Sequence, residues 1–352
     1  MQPRRSAVGL ALSVVLVGAF AGSASAVGLG SGRFDQVNLV SDQPGVAALT
    51  DPDLVNPWGM SHGPNTPVWV SNNGADVSTL YRTDTPGQPV TKVPTVRVDI
   101  PGGAPTGQVF NDTTAFALPT GGPARFIFAG EDGNLSAWNG GTSAVLVAST
   151  PNAVYKGIAL VHAATGPELL MTNFRANRID VFNASFQRVP TFGRFTDRFV
   201  PAGYAPFNVA EINGLVFVTY AKQDAARHDD VAGPGHGFID VYSTSGRLLH
   251  RFATHGVLNS PWGMAVAPAS FGRFAGSLLV GNFGDGRIHA FSLRTGAVLG
   301  VLRGASGSPL AIDGLWGLIV GDPVAGGTNA LWFSAGPDGE AHGLLGLLEP
   351  MS

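Results

Sequence analysis

One short motif recurs along this chain and constrains its fold more than any other feature. Asn56-Pro57-Trp58-Gly59-Met60 is matched by Ser260-Pro261-Trp262-Gly263-Met264, and Leu315-Trp316-Gly317-Leu318 resembles both. With weaker copies between them, the anchors of the repeats lie 55, 43, 51, 55 and 54 residues apart, at Gly59, Thr114, Gly157, Asn208, Gly263 and Gly317. Self-similarity at a period of about 50 residues is typical of propellers and other repeat folds.

Each anchor precedes two further runs of strand-like character. In the fourth unit these are residues 215–218 and 238–242, rich in β-branched and aromatic side chains and bounded by turn residues. Six such units predict an all-β fold, a six-bladed β-propeller formed by residues 27–352 as a single domain. The sixth unit stops after its third strand, whereas residues 36–40 form a strand before the first anchor. This N-terminal strand is therefore predicted to complete blade six and close the ring.

Composition excludes several classes of protein. The chain of 352 residues has 44% hydrophobic and 13% charged residues, with 49 Gly and 25 Pro, which fits a turn-rich globular domain and not a disordered one. A formal net charge of −3 disfavours a nucleic-acid partner. Because there is no cysteine, disulfides and thiolate chemistry are excluded. The glycine-rich stretch from Gly281 to Gly286 is predicted to lie in a β-turn and not between a strand and a helix, so no dinucleotide or phosphate loop is implied. No nucleotide, flavin or haem cofactor is expected.

The first 26 residues resemble a signal peptide. Arg4 and Arg5 precede an apolar run over residues 7–20, and Ala24-Ser25-Ala26 supplies a small-residue cleavage pattern. We therefore predict cleavage after Ala26 and a secreted, extracellular protein with no membrane span after cleavage. We expect the mature protein to be a monomer.

In propellers, ligands usually bind on the face formed by the starts of the inner strands and the turns between second and third strands. The second-to-third turns here supply polar residues that include Asn73, Glu131, Asp132 and Asp338. A ring of such oxygens suits a hard cation such as Ca²⁺. The predicted metal ligands are Asn111, Asn173, Asn208 and Asn282, with Asp112 or His228 as the catalytic base. The alternative is that these residues only form turns, since Asn and Asp are ordinary turn formers.

A long polar insertion over residues 221–237 distinguishes the fourth unit. Long loops are often functional, but the spacing of its histidines and aspartates matches no established metal motif, and a solvated capping loop is the alternative. The tryptophans of the repeat are expected to be packing residues. The predicted substrate-binding residues are Lys156, Arg175, Lys222, Asp229, Asp230 and His236.

The chain also resembles a family of exported bacterial proteins, through Asn38-Leu39-Val40-Ser41-Asp42, Asn56-Pro57-Trp58-Gly59 and above all residues 221–224 and 228–235. The resemblance implies a propeller and export, and it implies no particular activity. Some members carry a C-terminal sorting tail. This sequence ends at Glu349-Pro350-Met351-Ser352 without one, which favours release. More distantly, the architecture is similar to NHL-repeat propellers and to the gluconolactonase and paraoxonase group, which implies calcium in the central channel.

Two main hypotheses for the function follow, and a lyase of the type that some propellers house is a third option. The first is a divalent-cation-dependent hydrolase that acts on a small ester or lactone at the channel face. The second is a non-catalytic propeller that binds a small molecule, glycan, peptide or protein partner across the same face. Convergence of a buried carboxylate with three or more oxygens would favour the first, and a flat polar face would favour the second.

Overall fold

The computed structural model of the protein describes residues 32–83 and 89–351. The predicted signal peptide, residues 1–26, lies outside the described residues. The described chain forms 25 strands and two single-turn 3₁₀ helices, over Asn73–Ala75 and Gly272–Phe274. The strands form six sheets of four or five strands, which are the blades of the predicted propeller. Among the described residues, no helix has the length and apolarity needed to cross a membrane.

The blades follow one another along the chain, and each is an antiparallel meander from an inner to an outer strand. Two strands precede blade one: β1 (Phe34–Ser41) and β2 (Leu49–Thr50). Blade one contains β3 (Pro57–Ser61), β4 (Val68–Asn72), β5 (Val77–Arg82) and β6 (Thr91–Asp99). Blade two contains β7 (Pro105–Phe110), β8 (Phe126–Gly130), β9 (Asn134–Trp138) and β10 (Val145–Ser149). Blade three contains β11 (Tyr155–Ala163), β12 (Gly166–Asn173), β13 (Arg178–Phe182) and β14 (Arg188–Val189).

The second half of the ring repeats this arrangement. Blade four contains β15 (Tyr204–Ile212), β16 (Leu215–Lys222), β17 (Phe238–Ser243) and β18 (Leu248–Thr254). Blade five contains β19 (Pro261–Val266), β20 (Leu278–Asn282), β21 (Ile288–Phe291) and β22 (Val298–Val301). Blade six begins with β23 (Leu315–Val320), β24 (Leu331–Ala335) and β25 (Leu344–Pro350).

The N-terminal strand closes the ring, as predicted. β1 pairs antiparallel with β25 from Phe34 opposite Pro350 to Ser41 opposite Leu344, and β2 adds a short parallel strand outside it. Apolar side chains of successive sheets pack between the blades, so that the core is distributed around the ring.

The predicted repeat was wrong in blade two. The inner strand there is β7, and its anchor is Gly107 instead of Thr114. Asn111 and Asp112 consequently follow the end of this strand. They lie at the opposite end of the channel from the starts of the inner strands.

The anchor residues bring neighbouring inner strands into close contact around the central channel. A Cβ atom on Gly59 would lie 2.5 Å from the carbonyl oxygen of Thr106, and one on Gly107 would lie 2.8 Å from the amide nitrogen of Ile158. The inner strands approach this closely because the anchors lack side chains; Asn208 is the exception. The cavity within this ring has a volume of about 120 Å³.

Candidate functional site

The starts of the inner strands and the second-to-third turns meet at one end of the channel, which we call the mouth. Seven polar residues from five blades converge there and form what we call the mouth cluster: Asn56, Asn73, Glu131, Lys156, His228, Asp229 and Glu340. The arrangement is convergent rather than flat.

Lys156, the second residue of β11, lies at the centre of this cluster and is only 1% exposed. Its Nζ donates hydrogen bonds to Glu131 Oε1 and to Asp229 Oδ1, the latter at 2.9 Å, and lies 5.0 Å from the ring centroid of Trp58. Burial lowers the pKa of Lys156, but the two carboxylates outweigh it and the pKa is raised overall. For Asp229, burial acts to raise the pKa, but the charge of Lys156 and its hydrogen bond have the larger combined effect. The net pKa of Asp229 is therefore lowered. The lysine and Asp229 are therefore both charged at neutral pH.

A second set of hydrogen bonds links the carboxylates to the amides at the mouth. Asn73 donates to Glu131 Oε2 at 3.0 Å, and Asn56 donates to Glu340 Oε1 at 3.1 Å. Trp316 Nε1 donates to Asn56 Oδ1 at 3.2 Å and so orients that amide. Burial raises the pKa of Glu340, although the hydrogen bond from Asn56 opposes the shift. Two carboxyl groups of the cluster have a shifted pKa, Asp229 and Glu340. Of these two, Glu340 takes up a proton more readily.

The tryptophans of the repeated motif form a layer beneath the mouth, as the sequence predicted. Trp58 and Trp316 stack with ring centroids 3.5 Å apart, and Trp262 packs edge-on to both. Phe174, Phe207 and Phe283 extend the layer. Trp262 Nε1 also donates to the backbone carbonyl of Lys156 at 3.0 Å. The lysine therefore rests on apolar surface, where its ion pairs are stronger than they would be in water.

The blade-four insertion reaches the mouth. Asp224 Oδ1 accepts hydrogen bonds from the backbone amides of His228 and Asp229, which fixes the turn that presents both side chains. Asp230 is partly buried; burial raises its pKa, and no described donor reaches its Oδ2. His236 instead contacts the loop's own backbone at Val231, 2.8 Å away.

In the described chain, no hydrogen bond joins any two of the four asparagines predicted as metal ligands. Asn111 caps a turn at the far end of the channel, where its Oδ1 accepts from Thr113. Asn173 donates to Asp180, and Asn208 donates to the carbonyl of Trp262 within the channel. Asn282 donates to the carbonyl of Val257. Each amide forms hydrogen bonds within its own surroundings, and the buried Oδ1 of Asn282 has no hydrogen-bond partner there.

A different group of residues offers the geometry of a cation site. One ligand atom each of Glu131, His228 and Asp229 lies within 4.8 Å of the others. Asp112, predicted as a base, lies instead beside His162 at the far end of the channel, at 3.0 Å.

Arg175 lies in the turn that follows β12, and Lys222 is the last residue of β16. In the part of the chain that the structure describes, neither side chain forms a hydrogen bond to the cluster. Sequence reasoning noted Glu131 as a turn residue but missed Glu340. The available signal for Glu340 was an acidic residue in the second-to-third turn of blade six.

Solved structures with a similar fold include both enzymes and a protein of unknown function. A glucose dehydrogenase aligns with a TM-score of 0.54 at 13% identity, over 89% of this chain and 98% of its own. A streptogramin B lyase aligns with a TM-score of 0.50 at 12% identity, over 90% and 97%. A protein of unknown function from Bacteroides thetaiotaomicron gives 0.55 at 13% identity, over 90% and 72%. At these identities the comparison shows the fold alone.

No family model matches the chain. Two proteins of Acanthamoeba polyphaga mimivirus are related in sequence over most of their length. Uncharacterized protein R648 is 33% identical over 323 residues, which cover 88% of this chain and 78% of that protein. Uncharacterized protein L690 is 33% identical over 326 residues, which cover 88% and 84%. The chain belongs to the same family as these two mimivirus proteins.

Proposed function

We propose that the mouth cluster binds a divalent cation through Glu131, His228 and Asp229, and that the protein hydrolyses a small ester or lactone there. The proximity of these three ligand atoms carries the proposal. They come from the second-to-third turn of blade two and from the blade-four insertion, so that the folded ring is needed to bring them together. In this proposal His228 is a ligand and not the predicted base.

The donor set bears on the choice of ion. One imidazole nitrogen with two carboxylates suits Zn²⁺ or Mn²⁺ better than Ca²⁺, which prefers oxygen ligands. Lys156 competes with the ion because it already donates to both carboxylates. Asp229 can adjust to an ion, since its side chain is 64% exposed.

The neighbouring residues supply groups that this chemistry uses. A bound cation would polarise the substrate carbonyl and lower the pKa of a water molecule. In the proposed reaction, the ammonium of Lys156 would stabilise negative charge on the carbonyl oxygen. Glu340, whose pKa burial raises, is suited to protonate the leaving group.

The test is the melting temperature of metal-free protein, measured with added Zn²⁺, Mn²⁺, Ca²⁺ or Mg²⁺. A cation that binds only the folded state raises the melting temperature by a few degrees at about 100 times its dissociation constant. Glu131→Gln and Asp229→Asn should each remove that rise. Asp132→Asn, in the same turn as Glu131 but outside the cluster, should retain it. If no ion raises the melting temperature, the proposed cation site is wrong.

A non-catalytic role for the same site is the second candidate. The observation that favours this role is that Lys156 pairs with both Glu131 and Asp229. The charges of these groups are therefore already partly neutralised by one another without a bound ion. A panel of p-nitrophenyl esters and lactones separates the two candidates. Hydrolysis that requires the ion and Glu131 supports the hydrolase. Ion binding without hydrolysis of any panel member would favour a receptor for a glycan or peptide, which glycan and peptide arrays would then identify.

A further inference from the structure

A larger cavity opens at the end of the channel opposite the mouth, and we call it the far cavity. Its volume is about 520 Å³, which lies within the range of small-molecule sites. Its wall is formed by apolar side chains near the ends of the inner strands, among them Met60, Val109, Phe110, Ile158, Leu160 and Ile319. The anchor residues Gly59, Gly107, Gly157, Asn208, Gly263 and Gly317 form what we call the glycine ring. The far cavity adjoins the smaller cavity within this ring, because Met60, Gln108, Ile158 and Ile319 line both cavities.

The rim of the far cavity is acidic. His162 lies between two carboxylates, with Nε2 3.0 Å from Asp112 Oδ1 and Nδ1 3.1 Å from Glu211 Oε2. The lining residues that the structure describes include these two acids and His62, but neither lysine nor arginine. Two carboxylates thus face His162, which carries at most one positive charge.

Several acceptor atoms at this cavity lack donors. In the described chain, no donor reaches Asp112 Oδ2 or Glu211 Oε1, because His162 and its backbone amide use only the other oxygen of each acid. Gln108 lines the cavity and is 5% exposed, and its Oε1 has no hydrogen-bond partner. Its Nε2 donates to the carbonyl oxygen of Gly59 at 3.0 Å, which fixes the orientation of the amide. A bound molecule that donates hydrogen bonds would match this surplus of acceptors.

We propose that the far cavity binds a small amphipathic amine, with its apolar body against the wall and its ammonium group at Asp112 and Glu211. The apolar wall accounts for the body, and the acidic rim with its unpaired oxygens accounts for the charge. The glycine ring and the aromatic layer lie between the far cavity and the mouth, so this site is distinct from the proposed cation site.

Three probes of nearly equal size test this assignment by calorimetric titration: 2-phenylethylamine, 2-phenylethanol and 3-phenylpropionate. The amine should bind with a dissociation constant of about 1 mM or tighter, and the neutral and anionic probes should bind at least about fivefold more weakly. Added salt should weaken binding of the amine, because the attraction is partly electrostatic. Equal binding of the three probes, preference for the anion, or no binding of the amine would overturn the proposal.

Variants separate the charge of the rim from the shape of the wall. Glu211→Gln and Asp112→Asn should each weaken binding of the amine about fivefold and leave the alcohol unaffected. Ala210→Phe, which adds a ring to the lining, should weaken binding of all probes. Asp132→Asn, at the mouth end but outside the mouth cluster, is the matched control and should leave amine binding unchanged. A cooperative melting transition verifies that each variant is folded, and loss of amine binding in Asp132→Asn would contradict separate sites.

Discussion

The two ends of the channel are built from the same inner strands but differ in how their charges are balanced. β11 carries Lys156 at its start and His162 near its end. At the mouth, the buried lysine is paired with two carboxylates and rests on the aromatic layer. At the far cavity, two acids share one exposed histidine and retain unpaired oxygens. The comparison indicates that the charges at the mouth are balanced within the cluster, whereas the rim of the far cavity retains carboxylate oxygens that no donor of the described chain reaches.

The largest expected effect tests the structural role of charge at the mouth. Lys156→Met leaves Glu131, whose side chain is 14% exposed, without its charged partner, although Asn73 still donates to its Oε2. Because an uncompensated buried charge is costly, we expect the free energy of unfolding to fall by about 3 kcal/mol, measured by urea denaturation. The matched control is Lys222→Met, which replaces a partly buried lysine outside the cluster. This variant should change the free energy of unfolding by less than about 0.5 kcal/mol. If both variants lost the same free energy of unfolding, the ion pairs of Lys156 at the mouth would not stabilise the fold more than an ordinary lysine does.

A smaller effect is expected at the boundary between the two ends. Gly59→Ala places a Cβ atom 2.5 Å from the carbonyl oxygen of Thr106 and 2.9 Å from the amide nitrogen of Gln108, both backbone atoms. The inner strands must separate, at a cost of about 1–3 kcal/mol in unfolding experiments. Gly140→Ala, which meets no atom within 4 Å, should be close to neutral. A neutral Gly59→Ala would mean that the strands can move apart freely, so that the ring does not separate the ends.

The smallest effect concerns the rim of the far cavity. The hydrogen bond to Asp112 raises the pKa of His162 above 6.5; burial opposes the shift, and Glu211 adds to it. Protonated His162 therefore stabilises the folded state fully below pH 6.5, and this contribution is lost as the pH rises through the folded-state pKa. Since the pair is exposed, the change should be below about 1 kcal/mol.

Unfolding free energies measured from pH 6 to pH 8.5 check this expectation. Asp112→Asn should reduce the pH dependence, while His250→Gln on the outer strand of blade four should not. If the contribution of His162 to the free energy of unfolding increased from pH 6 to pH 8.5, the expected direction would be wrong.

Most of the fold could be predicted because its signals are local. The Pro-Trp-Gly repeat and the period-2 runs identify the blades, and the unpaired first strand identifies the closure. Blade two was misread because Thr106-Gly107-Gln108 lacks the tryptophan of the motif, whose ring belongs to the aromatic layer and is not needed in every blade. The spacings of 55 and then 43 residues were the available sign of this error, since Gly107 makes them 48 and 50.

The sites were less predictable because their residues meet only in the closed ring. Glu131 lies 25 residues from Lys156, and Asp229 lies 73 residues from it, on three different blades. The asparagines were conspicuous because Asn is a common turn residue, and Asn111, Asn173 and Asn282 do form hydrogen bonds within turns. His162 and Glu211 were missed because the far ends of the inner strands were not considered as a site.

The pairing of β1 with β25 has a consequence for how this protein reaches its folded state. The contact joins residue 34 to residue 350, so the ring cannot be completed until nearly the whole chain has been synthesised. Contacts at such long sequence separation slow folding, and β25 presents an open strand edge to other chains until β1 docks. The first strand to leave the ribosome is thus among the last to be paired, and molecules halted before that step are those most prone to aggregate.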